Sequence, residues 1–117
     1  MLLQRLYELA SAFAYLHTTA HPGAQVLHRD LKPDNVGFKL DGTLQLLDFG
    51  LSTCVKARTS ATQAYQMTGF TGSLRYMAPE VALHQPYSET VDVFSFGVLA
   101  WQMAYDQASM LCAVCFV

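Results

Sequence analysis

Asp30, Lys32 and Asn35 lie within one run, His28-Arg29-Asp30-Leu31-Lys32-Pro33-Asp34-Asn35, and a second carboxylate, Asp48, follows thirteen positions after Asn35. These residue types suit phosphoryl transfer, where a protein mainly positions groups and neutralises charge. Something must accept or orient the proton of the attacking hydroxyl. Something must hold a divalent cation on the phosphates, and cationic groups must balance the transferred phosphoryl. A carboxylate, a lysine and an amide on one short loop, with a second carboxylate across a hairpin, can supply much of this.

Elements that could hold such a loop are legible on both sides of it. Leu2, Leu6, Leu9, Phe13 and Leu16 recur at spacings of four and three, which predicts an amphipathic helix over residues 1–19. Pro22 and Gly23 end it, and Gln25-Val26-Leu27 is a short extended approach to the loop. Val36–Leu40 and Thr43–Leu47 flank Asp41-Gly42, a two-residue hairpin signal. Residues 51–77 are rich in Ser, Thr, Gly and Gln and read as one long surface loop. Pro79 can open a short helix. A second helix is predicted over 89–104, with Val91, Val93, Phe94, Phe96, Val98, Leu99, Trp101 and Met103 on nearly all sides, as for a core helix buried all round.

The run 28–35, then Asp48-Phe49-Gly50, then Ala78-Pro79-Glu80, in that order, resembles the protein kinase superfamily, within it the Ser/Thr type. The likeness covers about residues 1–104, nearly the whole chain. Tyr15-Leu16-His17 followed by a Pro-Gly loop is similar to the tyrosine-kinase-like group of Ser/Thr kinases. The fold implied is α+β, mainly α: part of a kinase C-terminal lobe with a small β-hairpin, over residues 1–104, followed by a divergent tail, 105–117. The reaction implied is transfer of the ATP γ-phosphate to Ser or Thr hydroxyls of protein substrates, with ATP and Mg²⁺ as cofactors. By resemblance, Asp30 is the catalytic base and Lys32 contacts the transferred phosphate. Asn35 and Asp48 are Mg²⁺ ligands, in keeping with hard oxygen donors. Arg29 pairs with phosphate on the loop after Asp48, for which Ser52, Thr53, Thr59, Ser60, Thr62, Tyr65, Thr68 and Thr71 are acceptor candidates. Ser73 bonds the base and the lysine, and Glu80 belongs to the peptide-binding segment. His28, Phe49 and Asp92 are structural, Asp92 anchoring the backbone of the 28–35 loop.

The sequence also departs from the family pattern. No Gly-rich phosphate loop or strand lysine is present, so these 117 residues alone are expected to be inactive. No Lys or Arg follows Arg75 to pair with Glu80, which must then be exposed, protonated or paired locally. Gly37 stands where an apolar side chain is usual, and Phe94 where Trp is common. The tail resembles nothing in the family, and its Cys112 and Cys115 are read as incidental, as no second pair completes a zinc site. A non-catalytic, kinase-like interaction module is the alternative function.

Composition narrows the classes. The chain is 52% hydrophobic and 14% charged, which suggests a core-rich piece whose apolar faces expect neighbours. A net charge of -2 offers no basic patch for nucleic acid. Three cysteines, an odd number, argue for reduced thiols and an intracellular, cytoplasmic setting. Glu8 interrupts any leader-like apolar run. Residues 93–117 carry one formal charge, Asp106, yet Ser95, Gly97, Gln102, Gln107 and Ser109 break them, so a membrane tether is not expected.

Overall fold

The first helix forms where the apolar spacing places it. In the computed structural model, which describes residues 1–105, α1 spans Leu2–Thr18 and buries Leu9, Phe13 and Leu16. After the bend at Gly23 comes β1 (Ala24–Leu27), and then the 28–35 loop, which ends in a 3-10 turn at Pro33–Asn35. β2 (Val36–Phe38) and β3 (Leu44–Leu46) form an antiparallel hairpin, with Val36 opposite Leu46 and Phe38 opposite Leu44. The turn is one residue longer than the sequence suggests. The Gly42 N–H donates to the Lys39 carbonyl at 2.8 Å, so Leu40 and Asp41 are its central pair and Gly42, at φ +85, takes the left-handed position that closes it.

The expected surface loop over 51–77 is in part ordered secondary structure. β4 (Thr53–Lys56) pairs antiparallel with β1, Leu27 facing Thr53 and Ala24 facing Lys56. Tyr65 and Tyr87 form a further backbone bridge, and Leu74–Tyr76 make a second 3-10 turn. Arg58 pairs with Glu89 at the foot of the last helix. Backbone polar groups that the sequence leaves without partners thus find them in distant segments.

α2 is a single turn (Pro79–Ala82), opened by its proline, and α3 runs from Thr90 to Tyr105. α3 is not buried all round. Val91, Asp92, Ser95, Leu99 and Met103 are buried, whereas Val93, Phe94, Trp101 and Tyr105 are exposed, the last two with rings stacked at 5.6 Å. The buried stripe follows the i, i+4 spacing of one helix face; the opposite face is exposed. No described helix is long and apolar enough to cross a membrane.

Two apolar clusters grip the 28–35 loop. One joins Leu9, Phe13, Leu16, Leu31, Val36, Tyr76, Leu99 and Met103; the other joins Leu27, Val55, Ala78, Val81, Tyr87 and Val91. Leu27 and Leu31, on either side of Asp30, belong to different clusters, so the loop bridges both. Leu99, only 2% exposed, sits where α3 meets α1. Leu99→Ala is expected to cost about 3 kcal/mol, read from the urea unfolding midpoint at unchanged slope. A loss under about 1 kcal/mol would place Leu99 outside the core.

Candidate active site

The 28–35 loop is shaped from behind by one buried carboxylate. Asp92, 1% exposed, stands in the first turn of α3. Its Oδ2 accepts the His28 N–H at 2.9 Å and its Oδ1 the Arg29 N–H at 2.9 Å. The same Oδ2 lies 2.9 Å from His17 Nε2, on the last turn of α1. In the sequence His17 belongs to the Tyr15-Leu16-His17 likeness, with no role of its own. Its partner is 75 residues away, so no local signal could find it. Held in this way, Arg29 takes φ +66, a left-handed conformation that a non-glycine residue adopts only when its surroundings fix it.

His28 ties the loop to the approach of Asp48. Its Nε2 lies 2.9 Å from the Leu47 carbonyl, and its Nδ1 lies 3.3 Å from the Asp30 N–H. These two bonds together call for the neutral Nε2–H tautomer, with Nδ1 as acceptor. The Phe49 ring packs edge-on against the imidazole at 5.0 Å and is otherwise half exposed.

Asp30 is the point of convergence. Its Oδ1 accepts the Ser73 N–H at 3.0 Å and the Ser73 hydroxyl at 2.8 Å. Its Oδ2 accepts from Asn35 Nδ2 at 3.2 Å and lies 3.5 Å from Lys32 Nζ. Asn35 Nδ2 also donates to the Asp30 main-chain carbonyl at 2.8 Å. The site thus holds one carboxylate, 8% exposed, with an ammonium and a hydroxyl beside it. In that partly buried setting charge–charge and charge–dipole terms act more strongly than in bulk water.

Asp48 lies at the far end of the hairpin, exposed and at φ +54. The Leu47 N–H donates to the Asn35 carbonyl at 2.9 Å, which joins the two segments immediately beside both residues. The donor set suits Mg²⁺. The amide nitrogen of Asn35 is committed to Asp30, which leaves the amide oxygen as the atom for a cation. Asp48 Oδ1 accepts the Gly50 N–H at 3.1 Å, and its carboxylate enters no ion pair among the described residues. No cluster of three His, Cys, Asp or Glu exists among the described residues.

Arg29 and Glu80 take different surroundings. The Arg29 guanidinium donates to the Leu51 carbonyl at 2.7 Å, the Thr68 hydroxyl at 3.0 Å and the Tyr87 hydroxyl at 3.0 Å. Of the eight hydroxyl candidates in the 51–77 segment, Thr68 is the one that Arg29 holds. Glu80 is half-buried in the first turn of α2 and forms no ion pair among the described residues. The loop therefore gathers Asp30, Lys32, Asn35, Ser73, His28 and Asp92 into one network, with Glu80 outside it. The Cys112–Cys115 pair and the tail after residue 105 lie outside the described residues.

The sequence also matches known proteins. The family profile for the protein kinase domain matches residues 3–111. The chain is 44% identical over 98 residues to the serine/threonine-protein kinase VIK of Arabidopsis thaliana, covering 82% of this chain and 22% of that protein. It is 41% identical over 98 residues to the stress-activated protein kinase JNK of Drosophila melanogaster, covering 84% of this chain and 23% of that one. To the mitogen-activated protein kinase kinase kinase dlk-1 of Caenorhabditis elegans it is 38% identical over 100 residues, 86% of this chain and 10% of the relative. The chain thus spans between 10% and 23% of the length of these curated relatives. With its ordered motifs, its network around Asp30 and a profile match over nearly its whole length, this chain belongs to the protein kinase family.

Proposed function

We propose that these residues form the catalytic-loop half of a protein serine/threonine kinase, which moves the ATP γ-phosphate to Ser or Thr hydroxyls of protein substrates. One observation carries the reading: the Asp30 carboxylate stands beside the Lys32 ammonium and the Ser73 hydroxyl, on a loop fixed from behind by Asp92. Asp30 receives and orients the proton of the incoming hydroxyl. Lys32 places positive charge next to that carboxylate, where negative charge builds on the transferred group. Asn35 and Asp48 offer the oxygens that would hold Mg²⁺, which when bound neutralises the nucleotide phosphates. The full network argues for catalysis over a purely binding module, which has no need of Lys32 or of a solvent-facing Asp48.

Regulation and setting extend the same reading. A phosphate on Thr68 would meet the Arg29 guanidinium already at its hydroxyl, adding charge-assisted bonds that tie the 51–77 segment to the loop. The odd cysteine count favours a reducing, intracellular setting.

Because positioning dominates this chemistry, transfer is expected only when a nucleotide-gripping lobe accompanies these residues. The test joins the chain to such a lobe from a relative and supplies γ-labelled ATP, Mg²⁺ and a generic basic protein. Label is expected on Ser and Thr alone, and none with EDTA or with either part separately. Label on Tyr, or none above the isolated lobe, contradicts the reading.

A further inference from the structure

Between the two segments that meet at Asp30 there is room for backbone and nothing more. Gly72, in Thr71-Gly72-Ser73, has φ +100, and a Cβ placed on it would lie 2.3 Å from the Arg29 carbonyl oxygen and 3.4 Å from the Arg29 carbonyl carbon. A main-chain oxygen cannot swing aside as a flexible side chain can. This one belongs to a residue held on both sides, by its N–H on Asp92 and its Nε on the Leu51 carbonyl. Gly23 makes a useful contrast: it too has positive φ, at +70, yet nothing lies within 4 Å of a Cβ there. Gly23 serves the chain's turn alone. Gly72 serves a close approach, and the residue after it supplies both donors to Asp30 Oδ1.

We propose that Gly72 is a positioning residue: its missing side chain lets the 68–73 segment lie on the Arg29 carbonyl, at the one height from which the Ser73 N–H and hydroxyl both reach Asp30. It acts on the carboxylate through Ser73 and touches no reacting atom. Any L side chain lifts the segment off the loop and withdraws both donors, while the anchor on the other side, the Phe70 N–H on the Val81 carbonyl at 2.8 Å, stays made. The role matters for the kinase reading and rests on it, but the contact is measurable without any transfer.

The test is amide exchange by NMR on the 117-residue chain. In Gly72→Ala the Ser73 amide is expected to exchange at least about tenfold faster than in the wild type, with Phe70 and the β1–β4 amides unchanged. The Asn35 side-chain NH₂ resonances, which report the other oxygen of Asp30, should move as well. Gly23→Ala, which adds backbone strain without a clash, should leave Ser73 and Asn35 as they are. A chain assembled by ligation at Cys54 with D-alanine at position 72 tests the contact itself. D-alanine favours positive φ and does not place its methyl where the L-Cβ would meet the Arg29 carbonyl, so Ser73 protection should persist. Retained Ser73 protection in Gly72→Ala, equal loss at every amide, equal behaviour of the L and D variants, or failure of Gly72→Ala to fold would each overturn the proposal. If the chain passes these tests yet transfers no phosphate when joined to a nucleotide-binding lobe, the kinase reading is refuted and the joint is left standing.

Discussion

Asp92→Ala is expected to lower the stability of the chain by about 3–5 kcal/mol, the largest loss from any single substitution outside the apolar core. The carboxylate is 1% exposed and accepts the His28 and Arg29 N–H groups, each at 2.9 Å, and faces His17 Nε2. Its removal strands two backbone donors in or near the interior, and each buried donor without a partner costs about 1–3 kcal/mol. It also releases the backbone of Arg29 from φ +66, a conformation with no intrinsic preference for a long side chain. Asp92→Asn separates shape from chemistry. An amide fills the same space but turns one oxygen into a donor, which then faces a donor, so Asn should recover less than half of the loss. Urea unfolding of the three proteins, with exchange of the His28 and Arg29 amides, checks this. A loss below about 1 kcal/mol, or an Asn variant as stable as the wild type, would show that Asp92 does not hold the loop.

Much of the fold could be read locally because its signals are local. α1 announces itself by apolar residues four and three apart, and the structure buries that face. α3 is legible in extent and not in burial. With Val93, Phe94, Phe96, Val98 and Trp101 apolar on every side, no stripe marks the covered face; contacts with α1 and the 74–76 turn choose Ser95, Leu99 and Met103, and the cluster of Leu27, Val55, Ala78, Val81 and Tyr87 chooses Val91. β4 is hidden for a different reason. Its partner β1 lies far back along the chain, with the 28–35 loop and the β2–β3 hairpin between them, so the residues around Thr53–Lys56 read as polar loop. Only Val55 of that strand is buried, too little to show a period of two.

The site divides along the same line. Asp30, Lys32 and Asn35 are neighbours in sequence, so their shared loop is plain from residue order alone. The partners that shape them are not neighbours: Ser73 lies 43 residues from Asp30, and Asp92 lies 64 from His28. Family likeness supplies those two. It does not supply His17, whose bond to Asp92 ties α1 to the loop, or the Tyr87 hydroxyl that shares Arg29. Gly72 opens the segment, 72–80, that resembles the peptide-binding loop, but sequence alone gives it no role. The need for a bare Cα there shows only once the Arg29 carbonyl is placed opposite.

Asp30→Ala should have the largest effect on activity. A positioned carboxylate that orients and deprotonates a hydroxyl contributes about 10²–10⁴ in rate. Here the loss should fall on the transfer step, because Asn35 and Asp48, the residues read as facing the nucleotide's cation, remain in place. The fold should suffer less than in Asp92→Ala, since Ser73 and Lys32 can turn to water once the carboxylate is gone. The most direct measurement is the single-turnover rate of γ-phosphate transfer from ATP to a Ser/Thr substrate, for the wild-type chain joined to a nucleotide-binding lobe and for its Asp30→Ala variant, at matched nucleotide occupancy. A drop of about a hundredfold or more, with unchanged ATP affinity, is the predicted result. Equal rates for the two proteins would contradict the assignment of this loop as the site of phosphoryl transfer.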